Sequence, residues 1–338
     1  MPRSVSNPPN PYASVHVDYL GEAPSARLEV MEERARTVLS SNESPDVPFR
    51  WSLNPYRGCV HACAYCYARP MHSYLDLGAG TDFDRKIVVK INAAEALQRE
   101  LDAPSWRGET IVFSGATDCY QPHEAHYGVT RACLEVCAAY RNPMGVITKS
   151  ALVRRDVDVL QQLARDANVM VYLSIPFANE ANARSIEPFA ATPARRFETL
   201  RILSDAGIPT GVAIAPVIPG LNEADIPEIL ERAREAGARR AFCILLRLPR
   251  EVLPIFDQRI EEAMPLRAEK IRRAIRDVRG GRTYDSRFGK RMEGAGPRWN
   301  AIEQLFHIHC ERLGLQTGEH AEPEATTFRR PTRQLALF

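Results

Sequence analysis

The chain has 338 residues, 45% of them hydrophobic and 25% charged, with a formal net charge of +2. That is the composition of an ordinary globular protein, long enough for one large α/β domain plus extensions, and eight cysteines are too few for a disulfide scaffold. There is no run of about 18 apolar residues to mark a membrane span. The N-terminus also lacks the apolar core of a secretory signal, so the expected location is the cytoplasm.

Residues 1–50 are rich in Pro, Ser and Asn. Interleaved charged and apolar residues predict a helix over 26–39, and 42–48 reads as a loop. Trp51-Ser-Leu-Asn54 then gives a short strand entering the stretch Asn54-Pro-Tyr-Arg-Gly-Cys59-Val-His-Ala-Cys63-Ala-Tyr-Cys66-Tyr-Ala-Arg-Pro70. A helix is expected over 68–77, an alternating strand over 86–91 and a helix over 93–101.

From there the pattern is regular. Strands are expected at 110–114, 144–148, 169–175, 210–215 and 240–246, with helices over 129–140, 152–164, 194–206 and 226–236. Each strand is a short, nearly continuous apolar run, which argues for parallel strands buried on both faces. Thr192 and Pro193 supply an N-cap and a first helical residue, and Gly207 and Gly237 sit where helices end. Right-handed crossovers curl such a sheet toward a barrel, here of about six strands rather than eight.

Beyond the barrel, 246–264 reads as a helix-bearing connection, 265–279 as a basic helix and 299–313 as an amphipathic helix. Between Arg267 and Arg298 stand eleven basic residues against four acidic ones. Such an excess attracts a phosphate backbone, although a solvated helix face gives the same pattern.

Three thiols spaced C-x3-C-x2-C, with no fourth Cys nearby, suit a [4Fe–4S] cluster that has one open iron. Zinc held by Cys59, Cys63 and Cys66 with His61 or His72 is the alternative, and inert packing is a third reading. In parallel α/β folds, ligands bind where strands end. The residues just past the strands, Ser114 to Pro122, Thr148-Lys149-Ser150, Ser174 and Ala215 to Asn222, are therefore candidates. Ser150 reads first as a helix cap, and Lys149 as a cation for an anionic substrate. Cys119, at the expected mouth, is a candidate hydrogen-atom donor to a product radical.

The cysteine loop, with Tyr65 just before the last Cys, resembles that of the radical S-adenosylmethionine (SAM) superfamily. The wider Asn54–Cys59 and Tyr65–Pro70 context, the Thr117-Asp-Cys-Tyr-Gln-Pro122 turn and the Gly-rich basic stretch 280–296 are similar to its spore photoproduct lyase-like branch. Ile175-Pro-Phe-Ala-Asn-Glu180 departs from the pattern of that branch.

The resemblance implies an α/β fold with a partial, open (β/α)6 TIM-like barrel. It implies Cys59, Cys63 and Cys66 as ligands of a [4Fe–4S] cluster, and SAM as the second cofactor. It places Tyr65 and the Val217 to Pro219 segment against adenine, Thr117 and Asp118 near the methionyl amino group, Ser174 near ribose and Arg184 near the carboxylate. The implied activity is SAM cleavage to a 5′-deoxyadenosyl radical, by a lyase-type enzyme of DNA repair or nucleic-acid modification. An external electron donor such as flavodoxin or ferredoxin would supply the electron. RNA or a small metabolite as substrate, and a zinc-bearing non-catalytic nucleic-acid-binding module, are the alternatives. The expected divisions are an N-terminal extension (1–44), the core domain (45–290), a helical extension (291–315) and a flexible tail (316–338). The tail ends in Gln334-Leu-Ala-Leu-Phe338, a pattern suited to capture by a bacterial sliding clamp.

Overall fold

In a computed structural model the described residues are 6–13, 27–317 and 325–331. The strands are β1 (Glu29–Glu33), β2 (Leu39–Ser41), β3 (Trp51–Leu53), β4 (Tyr56–Arg57), β5 (Lys86–Lys90), β6 (Ile111–Phe113), β7 (Met144–Thr148), β8 (Val169–Ser174), β9 (Thr210–Val217) and β10 (Arg240–Leu245). The principal α-helices are α1 (Thr81–Arg85), α2 (Ala93–Asp102), α3 (Glu124–Tyr127), α4 (Val129–Ala139), α5 (Val157–Asp166), α6 (Glu180–Ile186), α7 (Pro193–Asp205), α8 (Ile226–Glu235), α9 (Val252–Ala263), α10 (Pro265–Asp277) and α11 (Pro297–Leu313).

The main sheet runs β10-β9-β8-β7-β6-β3-β2. Its six strands from β3 to β10 are mutually parallel, and β2 is antiparallel to β3. A second sheet, β1-β5-β4, carries the strand expected over 86–91. The parallel strands are apolar on both faces because helices cover them: Phe113, Val146, Val171 and Ile214 are fully buried beside Leu134, Leu160, Leu200 and Leu230. Burying each such side chain stabilises the fold by about 1.5–3 kcal/mol. The expected caps form: Thr192 accepts from the Arg195 N–H, and Ser150 from the Leu152 N–H.

The helix expected over 26–39 is not found. Glu29–Glu33 is instead a strand pairing in parallel with β5. Side chains distant in sequence hold residues 35–39: Asn92 bonds both the N–H and the C=O of Ala35, and Glu100 accepts from the N–H groups of Val38 and Leu39. Asn92 and Glu100, at the start and near the end of α2, thus satisfy backbone groups that a local helix would have satisfied.

Part of the expected flexible tail is also docked. Phe328 stacks on Tyr140 at 6.2 Å, and Arg330 donates to the carbonyls of Leu101, Ala103 and Trp106. The Gln334 to Phe338 motif lies outside the described residues.

Candidate functional site

The chain leaves the main sheet after β3, and the cysteine loop follows β4, between it and β5 of the second sheet. Gly58, at φ +78°, opens it, and a Cβ there would lie 2.9 Å from the carbonyl oxygens of both Phe83 and Lys86. Only glycine fits so close an approach in the left-handed region. Cys59 and Cys63 are buried, Cys66 is half-buried, and all three are free of disulfides.

Buried polar side chains fix the loop. Arg69, with no exposed surface, donates to the carbonyls of Cys63, Ala79 and Gly80 and pairs with Asp84 at 2.9 Å. Gln121, equally buried, donates to the Gly58 carbonyl and accepts from the Val60 N–H. Asn54 accepts from the N–H groups of Ala116 and Thr117, while the Thr117 hydroxyl donates to the Tyr56 carbonyl. The Thr117 to Pro122 turn and the cysteine loop therefore form one hydrogen-bonded unit.

Asp118 accepts from the Thr148 hydroxyl (2.7 Å) and from the backbone N–H groups of Lys149 (2.8 Å) and Tyr120 (2.9 Å), and it lies 3.4 Å from His61 Nδ1. Burial would push its carboxyl up, but His61 and the Lys149 and Thr148 donors outweigh burial and hold it well below the usual range. A carboxylate with four partners organises the turn.

Tyr65 donates to Glu187, whose other carboxylate oxygen takes a hydrogen bond from Arg196. Arg196 is almost wholly buried and also donates to the Ser174 carbonyl at 2.9 Å. This chain ties the cysteine loop to the end of β8. Lys149, just past β7, holds its Nζ 5.6 Å from the Tyr65 ring centroid; burial pushes the Cys63 and Cys66 thiols up, and the charge of Lys149 offsets part of that rise. Among the described residues it has no ion-pair partner.

Val217 ends β9 fully buried, and the segment through Pro219 is stiffened by Asn222, which accepts from the Ile218 N–H and donates to the carbonyls of Pro176 and Pro216. Arg184 is exposed on α6 and donates to the Pro188 carbonyl. Past β10, the Arg247 guanidinium lies 5.0 Å from the Tyr67 ring, its buried Nε without a partner among the described residues.

Cys119 departs from expectation. It is fully buried in the main hydrophobic core, and burial pushes its thiol well above the ordinary value. A side chain packed there is removed from the mouth, which argues against a hydrogen-donor role.

Sequence reasoning missed Arg69, Gln121, Asn54 and the Glu187–Arg196 pair. The first three lie inside stretches that resemble the family, but their roles depend on folded contacts. A charged Arg flanked by Ala68 and Pro70 was the available signal for Arg69.

The site can be set against known proteins. The family model described as the radical SAM superfamily matches residues 53–233. An uncharacterized protein of Mycobacterium tuberculosis is 39% identical over 57% of each chain, so the match spans little more than half of that relative. An uncharacterized protein of Methanocaldococcus jannaschii is 28% identical, over 60% of this chain and 72% of that one. Spore photoproduct lyase, in complex with dinucleoside spore photoproduct, superposes with a TM-score of 0.62 at 15% identity, covering 85% of this chain and 81% of the lyase. With more than half of its length matched by the family model, and with the three cysteines seated at the head of a parallel-strand α/β domain of the lyase's fold, this chain belongs to the radical SAM superfamily of enzymes.

Proposed function

We propose that Cys59, Cys63 and Cys66 hold a [4Fe–4S] cluster, that SAM lies across the strand ends beside it, and that the substrate is nucleic acid, in DNA repair or modification. The observation that carries the reading is the set of three free, largely buried thiols gathered in one loop. Burial pushes Cys59 well above the ordinary thiol range and Cys63 up to about 12, and negative charges on neighbouring carboxylates and thiols add to this. Thiolates crowded in so dry a place need a cationic centre to stay ionised, so the donor set fits the cluster.

Zinc is less well served. His61 faces Asp118, and His72 Nε2 bonds the Lys86 carbonyl.

When bound, the cluster and SAM supply an electron and a 5′-deoxyadenosyl radical that takes a hydrogen atom from substrate. The chain's own part is to position and to exclude water. Arg69 and Gln121 fix the thiol loop, and the Asp118 turn holds Lys149 where its free ammonium can meet a carboxylate. The Val217 to Pro219 edge, Ser174 and the backbone at Tyr65 offer an adenosine a rigid wall on a partial, open six-stranded barrel.

Nucleic acid is favoured because the fold neighbour binds a dinucleoside and because Tyr67, next to Cys66, is exposed with the Arg247 guanidinium against its ring. The test is anaerobic turnover of reconstituted enzyme with SAM and irradiated DNA, undamaged DNA or RNA. Production of 5′-deoxyadenosine that rises with one of these supports the reading. Production unaffected by all of them, and stimulated by a small metabolite, overturns the substrate assignment.

A further inference from the structure

The excess of eleven basic over four acidic residues between Arg267 and Arg298 largely dissolves in the fold. Arg272, Arg276, Arg287, Arg291 and Arg298 pair with carboxylates, several from outside the segment, and Arg279 is buried. The exposed cations without an ion pair to a described residue are Lys270 and Arg273 on α10, and Arg282 and Lys290 in the strap 280–296.

The strap spans the gap between the two ends of the main sheet. At one end the Leu245 N–H of β10 donates to the Met292 carbonyl, and Arg279 donates to the carbonyls of Lys290, Arg291 and Glu293. At the other, Asp46, between β2 and β3, accepts from the Gly289 N–H and pairs with Arg291. Arg279, which holds the strap, also donates to the Leu246 carbonyl, and the next residue, Arg247, packs on Tyr67, the residue after Cys66. On the strap stands Phe288, 61% exposed, with the Arg291 guanidinium 4.5 Å from its ring centroid. A cation backs the ring and its remaining surface is open.

We propose that this strap is a platform for single-stranded nucleic acid, a nucleobase stacking on Phe288 while phosphates meet Arg282 and Lys290. An open aromatic face between exposed cations is the arrangement that holds unpaired bases; a paired base presents no free face. The proposal rests on the nucleic-acid reading above and locates it on the strap rather than on the basic helix α10.

The experiment measures binding of a fluorescein-labelled single-stranded oligonucleotide by the full chain across a salt series. Phe288→Ala should weaken binding by at least about fivefold, and Phe288→Trp should retain it. Removing two phosphate contacts in Arg282→Ala/Lys290→Ala should lower the slope of log affinity against log salt by about 1.4. Lys270→Ala/Arg273→Ala should bind as wild type. Wild-type binding that survives the strap substitutions, or that is lost in the α10 pair instead, overturns the platform and leaves the nucleic-acid reading standing. A wild-type protein that cleaves SAM but binds no nucleic acid overturns both.

Discussion

Arg69 donates its Nε and Nη2 to the carbonyl oxygen of Cys63, at 3.0 and 2.9 Å, from a position with no exposed surface. Its remaining donors reach Ala79, Gly80 and Asp84. The planar guanidinium ties these positions together, so the thiol loop is shaped before any cofactor arrives. Arg69→Ala leaves Asp84 buried without its partner and should destabilise the protein by about 3–5 kcal/mol. Arg69→Lys should fail to restore it, since an ammonium cannot reproduce the fork. Urea unfolding, with iron per chain after reconstitution, checks both.

Gly58→Ala should cost about 1–3 kcal/mol and lower iron retention, because the added Cβ meets two carbonyl oxygens at 2.9 Å. Gly128, at φ +63°, is the control: nothing lies within 4 Å of its Cβ position. Its replacement should cost only the conformational penalty, about 1–2 kcal/mol, and leave iron content unchanged.

Lys149→Gln should leave iron content intact and raise the KM for SAM by about tenfold, as expected for loss of one charge-assisted hydrogen bond. Steady-state kinetics with SAM as the varied substrate provides the reading. An unchanged KM would remove Lys149 from the cofactor wall.

The strap has a pH-dependent latch. Burial would push the Asp46 carboxyl up, but the Gly289 N–H and the Arg291 guanidinium outweigh it and hold Asp46 below its ordinary value. A depressed folded value means that the latch stabilises above the unfolded value of about 3.9 and is lost as pH falls through the folded one. Asp46→Ala should speed amide exchange in 287–292 at least about tenfold at neutral pH. Wild type should lose the same protection only in acid, and the variant should show no such step.

The parallel sheet was readable because its strands are apolar runs with helical stretches between them, and local signals such as Thr192, Gly207 and Gly237 punctuate them. The cysteine loop was readable because its C-x3-C-x2-C spacing is local. The hidden features depend on partners far away in sequence. Residues 29–33 carry a helix-compatible pattern, and only β5, with Asn92 and Glu100 beyond it, makes the region extended. The basic excess looked like a surface because its carboxylate partners, among them Asp46, Glu223, Asp257 and Glu261, come from other segments. Cys119 read as a mouth residue because it comes directly after Asp118, but the turn carries its side chain into the core.

The most direct measurement is anaerobic: reconstitute wild type and Cys63→Ala with iron and sulfide, reduce, add SAM, and quantify iron and 5′-deoxyadenosine. The account predicts about four irons per wild-type chain, with SAM cleavage, and loss of cleavage in the variant. A wild-type protein that takes up zinc in preference to iron, or a Cys63→Ala variant that still cleaves SAM, would contradict it.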